Sequence, residues 1–147
     1  MIRSVTPLLL AAAVLVVSGC SFPDNARDKA EWFFDKGADK IVDSLEDQGV
    51  DDARMEEVES VLADHRSAVV ADLAAAFSAQ RDSFGTLLGG ADTEALLASE
   101  DRLHAKKRTA LSSIGEMHAD LEATVGREAW RAAGAERRDR FEEHTGD

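Results

Sequence analysis

Hydrophobic and polar positions along this chain fall into four helical stretches separated by short polar or glycine-containing breaks. In the first, Phe33, Phe34, Gly37, Ala38, Ile41 and Leu45 recur at steps of three and four, which places them on one face of a helix from about Ala26 to Asp47. Asp24 or Asn25 can cap its start, and Gly49 is a stop. Asp51 then caps a much longer run to about Leu88. Its apolar stripe is Met55, Val58, Leu62, His65, Val69, Leu73, Phe77, Phe84 and Leu88, with Gln80 spanning one gap. After Gly89-Gly90, Asp92 or Thr93 opens a third helix to about Thr124. Its stripe is Leu96, Leu103, Leu111, Ile114, Met117, Leu121 and Val125, with Lys107 and Ala110 between. Gly126 interrupts, and a fourth helix carries Trp130, Ala133 and Phe141.

The pattern predicts an all-α fold. Two long helices joined at Gly89-Gly90 form an elongated antiparallel hairpin, and two shorter helices pack at its open end. At 1.5 Å per residue the second helix is on the order of 55 Å long, which one compact ball of this size cannot enclose. Thin stripes on such helices leave apolar surface over. Either a symmetric homodimer covers it or a monomer keeps an open groove.

Composition agrees with helices. After residue 19 there is one proline, Pro23, the chain has no tyrosine, and only six phenylalanines and two tryptophans supply aromatic volume. The full chain carries 17 basic and 29 acidic side chains. Without Arg3 the remainder holds 16 and 29, a net charge of −13. That balance argues against nucleic acid as a partner, since phosphate binding needs a basic face, and against electrostatic attachment to anionic lipid, which leaves attachment to acyl chains.

The N-terminus has a different character. Arg3 precedes an apolar stretch from Pro7 to Val17, shorter than the ~20 residues a membrane span requires, and small residues Ser18 and Gly19 lead to Cys20, the single cysteine. Val17-Ser18-Gly19-Cys20 resembles the lipobox of bacterial lipoprotein precursors, in which the cysteine receives diacylglycerol. The resemblance implies a signal peptide at 1–19, lipidation at Cys20, a tether over 20–25, a helical domain over 26–144 and a polar tail at 145–147. Ser21 resembles the residue class that permits sorting to the outer membrane, facing the periplasm. With Cys20 acylated, no thiol remains for a disulfide, so packing alone must stabilise the domain.

Two joints between helices share a pattern. Val50-Asp51-Asp52-Ala53-Arg54 and Val125-Gly126-Arg127-Glu128-Ala129 each set an aliphatic residue before a capping position and then open a helix, as a hydrophobic staple does. Together with the Lys29-Ala30-Glu31-Trp32-Phe33 start, the long hairpin and Trp130, they resemble, in the same order, the Spy/CpxP family of bacterial envelope proteins, which is marked by two LTxxQ motifs. Val50 and Val125 stand for the leucine, Asp51 and Gly126 for the threonine, and Arg54 and Ala129 for the glutamine. The chain thus resembles a divergent, lipid-anchored member. The resemblance implies a bent helical hairpin, a cradle-like dimer, and an ATP-independent chaperone for unfolded envelope proteins. An alternative is a zinc or copper sensor, and another is an accessory regulator docking on an envelope signalling complex.

Among individual residues, Trp32 lies off the apolar face of the first helix, as a client or dimer contact or as a half-buried ring. Phe34, Met55, Phe77 and Met117 are client- or dimer-surface candidates, although Met55, Phe77 and Met117 lie on stripes that suit a core. His104 with Glu100, and His118 with Glu122, are spaced to face one ion. Neither pair completes a four-ligand site, so no metal or other cofactor is assigned. Serine, aspartate and histidine occur without a nucleophile turn, and no enzyme activity is assigned. Arg137, Arg138 and Arg140 suit the end of the fourth helix.

Overall fold

The computed structural model describes residues 25–145, with side-chain surroundings as far as Arg138. The expected signal peptide, Cys20 and most of the tether lie outside the described residues. Four helices follow in order: α1 (Ala26–Asp47), α2 (Asp52–Leu88), α3 (Thr93–Val125) and α4 (Arg127–Thr145). No strand occurs among the described residues, and the fold is all-α. The last helix continues through His144 into the expected tail.

Each start has a local cause. Asn25 accepts from the Asp28 amide at 2.8 Å, Asp51 from Arg54 at 3.1 Å, and Asp92 from Ala95 at 2.9 Å, so three helices open on side-chain caps. Two ends share a chain reversal. The Gly49 amide donates to the Glu46 carbonyl and that of Val50 to Leu45; beyond α2, Gly90 donates to Leu87 and Ala91 to Thr86. These paired bonds form Schellman motifs, with Gly49 at φ 72° and Gly90 at φ 70°. The Gly90 turn folds α3 back along α2.

The α2–α3 seam is a heptad. Met55, Leu62, Val69, Ala76 and Ser83 follow one another every seven residues on α2, and all are buried. On α3, Leu103, Ala110 and Met117 keep the same step, and Leu121 and Val125 extend the row. Cross-helix hydrogen bonds fix the antiparallel register: Ser83 to Glu100, Ser113 to Asp72, and His65 beside Asp120.

Side-chain size falls toward the turn on the α2 row, from Met55, Leu62 and Val69 to Ala76 and Ser83. The thick part of the core therefore lies at the open end, where α1 and α4 join the hairpin. Ala30, Phe34, Ile41 and Leu45 of α1 pack there with Val58, Leu62, Val69, Leu121, Val125 and Ala133. α1 runs antiparallel to α2, with Arg66 Nη2 donating to Asp35 at 2.9 Å and the Phe33 and Phe77 rings 5.4 Å apart. α4 closes the base: Gln48 donates to Glu136, and Arg137 donates to Ser44.

Four expected positions are corrected. Gly37 is exposed, and buried Ala30 and Ser44 complete the α1 face. Phe84 and Leu88 do not continue the α2 stripe, because they lie out of phase with Ala76 and Ser83. Ser99 enters the α3 seam instead of Leu96, which is only half-buried.

Candidate interaction surface

Beyond the level where α1 begins, the hairpin continues as two helices, with no third element over them among the described residues. Toward the turn the seam is held by small side chains, Ala76, Ser83, Ser99 and Ala110, so the helices pack without enclosing the larger apolar residues. Ser83 Oγ donates to Glu100 Oε1 at 2.7 Å and closes the seam with a polar contact. The displaced large side chains point outward. Phe84 is 57% exposed, Leu87 58%, Leu88 85% and Leu97 62%. Four of the five exposed large hydrophobics among the described residues thus gather around one turn. Isolated exposed leucines are ordinary, whereas a cluster at one end of an elongated molecule marks a contact surface.

Charge is distributed unevenly along the molecule. Residues 78–108 carry five basic and five acidic side chains; the rest of the chain after residue 19 carries eleven and twenty-four. Arg102, Lys106, Lys107 and Arg108 stand in a stretch with no acid between Asp101 and Glu116. Among the described residues, neither they nor Arg81 enter an ion pair. Several basic side chains elsewhere are paired: Arg27 with Glu31, Arg54 with Asp51, Arg66 with Asp35 and Arg127 with Glu122.

The surface candidates from the sequence separate. Phe34, Met55 and Met117 are buried core residues and, as the chain is folded, offer nothing to a partner. Phe34 instead lies under the Arg66 guanidinium, 5.6 Å from the ring centroid. Phe77 is half-buried against the core. Trp32 is 42% exposed and meets Phe33 edge-on at 5.1 Å.

Both joints work as staples. Val50 precedes the Asp51 cap and packs against the core beside buried Met55, while Arg54 Nε lies 3.5 Å from Asp51 Oδ2. At the second joint, buried Val125 precedes Gly126, and Trp130 occupies the matching place, with Ala129 half-buried next to it. Gly126 does more than cap weakly. Its φ of 88° lets α3 end and α4 begin across one residue, its amide donating to Glu122 and its carbonyl accepting from Trp130.

The histidine–carboxylate pairs do not behave alike. His104 Nε2 stands 3.9 Å from Glu100, which also accepts from Ser83. His118 packs against Trp130, rings 5.3 Å apart, while Glu122 accepts from Arg127 at 2.9 Å. Burial, and secondarily the nearby Arg137 charge, push the His118 pKa down to about 4. Among the described residues, no three His, Cys, Asp or Glu side chains gather as a metal site would require.

Periodicity places Phe84 and Leu88 in the seam and does not single out Leu87 or Leu97, so the cluster at the turn emerges only from the packing. The available signal was the heptad itself: its α2 row shrinks to Ala76 and Ser83 while large residues persist out of phase. No family model, curated protein or solved structure matches the chain.

Proposed function

We propose that this chain is a lipid-anchored bacterial envelope protein of the Spy/CpxP type, which shields apolar segments of partly folded proteins without nucleotide. The observation that carries the reading is the uncovered hairpin end, where Phe84, Leu87, Leu88 and Leu97 are presented beside unpaired basic side chains on an otherwise acidic molecule. Weak, reversible burial of a client's apolar segment there requires no chemical step. Full burial of each such side chain contributes about 1.5–3 kcal/mol before ordering costs, so contact with two or three supports transient rather than permanent binding. The dense core at the open end keeps the scaffold folded while the thin end makes contact.

A soluble form beginning at Ser21 tests the reading. At several-fold excess and without ATP it should slow light scattering by a chemically denatured client. Leu87→Ser/Leu88→Ser should retain the helical circular dichroism and lose most of the protection. Equal protection by both forms, or protection by neither, overturns the assignment.

A further inference from the structure

The end of the chain that leads to Cys20 and the exposed hairpin turn lie toward the same end of the molecule. α1 runs antiparallel to α2, and Phe33 meets Phe77. Ala26 lies seven residues nearer the turn than Phe33, about 10 Å along the axis. That contact alone sets Ala26 level with about residue 84 of α2, while the Arg66–Asp35 bond sets it level with about residue 75, so the start of α1 lies near residues 77–80. From there α2 extends to Leu88, on the order of 15 Å further in the same direction. Five residue steps separate Cys20 from Asn25, which reach at most on the order of 17 Å. The two lengths match, so a bilayer holding an acyl group on Cys20 lies within reach of the hairpin turn.

Charge selects the same orientation. The end bearing the turn is neutral over residues 78–108, while the remainder after residue 19 has thirteen more acidic than basic side chains. An anionic lipid surface repels the open end and tolerates the turn. Arg81 stands one helical turn before Phe84 and two before Leu88 on the same side of α2, placed to reach a phosphate while the apolar side chains enter the interface.

We propose that the hairpin turn is a second membrane contact, with Leu87, Leu88 and Phe84 seated in the interface of the bilayer that holds Cys20. The proposal deepens the function given above and rests on the anchoring of Cys20, not on client binding. It names the surface that covers the apolar turn between clients and stands the acidic open end away from the lipid.

The test uses the mature acylated chain in vesicles of phosphatidylethanolamine and phosphatidylglycerol. Acylation occupies the Cys20 thiol, so Leu88→Cys supplies the one free thiol for an environment-sensitive fluorophore, and Glu57→Cys supplies a control at the open end. A lipid-borne quencher should reduce the Leu88 signal at least twofold and leave the Glu57 signal unchanged. Adding Phe84→Ser and Leu87→Ser, both at exposed positions, should release the quenching with helicity intact. Equal quenching at both labels, or none at Leu88 in an acylated chain, overturns the membrane contact alone. A Leu88 label that turns apolar only when an unfolded protein is added also overturns it and leaves the chaperone reading standing. Mass spectrometry showing Cys20 unmodified in the native envelope removes the anchor on which the contact rests.

Discussion

His118 and Trp130 pack ring against ring at 5.3 Å where α3 meets α4, and Arg137 lies over the same indole at 5.2 Å. The imidazole thus shares a half-buried corner with a guanidinium and stays neutral down to about pH 4. In the unfolded chain it takes a proton near 6.5. Between those values the unfolded state binds more protons, so this group lowers stability as pH falls from about 6.5 to about 4 and costs nothing above that window. The loss is on the order of 1–3 kcal/mol. Thermal midpoints measured from pH 7.5 to 4.5 should fall more steeply for the native chain than for His118→Gln, and parallel curves would rule out the assignment.

Gly126 and Gly115 should respond to alanine in opposite directions. A Cβ at either meets nothing within 4 Å, so backbone conformation alone decides the sign. Gly126 has φ 88° and ψ 151°, a region an L-residue enters only under strain, so Gly126→Ala should cost about 1–3 kcal/mol. Gly115 is within α3, and Gly115→Ala should stabilise by about 0.5–1 kcal/mol. Urea midpoints of the two variants check both signs.

Loss of the Asp51 cap should destabilise by about 1 kcal/mol in Asp51→Ala, because the Arg54 amide loses its acceptor. Asp51→Asn keeps an oxygen there and should recover most of the loss in the same denaturation assay.

Leucine truncation should separate the two ends of the hairpin. Leu121 is fully buried, and Leu121→Ala should cost about 2–5 kcal/mol. Leu88 is 85% exposed, and Leu88→Ala should change stability by less than about 0.5 kcal/mol. Amide exchange should follow the same gradient, with the slowest amides near Val58, Val69 and Leu121 and faster ones toward Gly89. Uniform protection along α2 would show that the small-residue seam is as stable as the core.

The helices were legible because their punctuation is local. Asp51 and Asp92 cap, Gly49 and Gly90 reverse the chain, and apolar positions repeat at helical steps, so the bounds of α1, α2 and α3 agree closely with the expectation. The far half of α2 was misread for a physical reason. From Phe77 onward two phases compete, a large one through Phe84 and Leu88 and a small one through Ala76 and Ser83. Periodicity weighs size, whereas a close two-helix seam favours the small row. Phe34, Met55 and Met117 were candidates for both core and surface, and the packing of α1 and α4 placed them inside.

By itself the sequence determined what is short-range: four helices, their caps and turns, the acidic balance, and the lone cysteine behind an apolar stretch. These depend on neighbours within a few residues. The tertiary structure alone decided which face of each helix is covered, because that depends on where α1 and α4 stop along the hairpin. Their position leaves Phe84, Leu87, Leu88 and Leu97 outside, and draws His118, Trp130 and Arg137 from two helices into one half-buried corner.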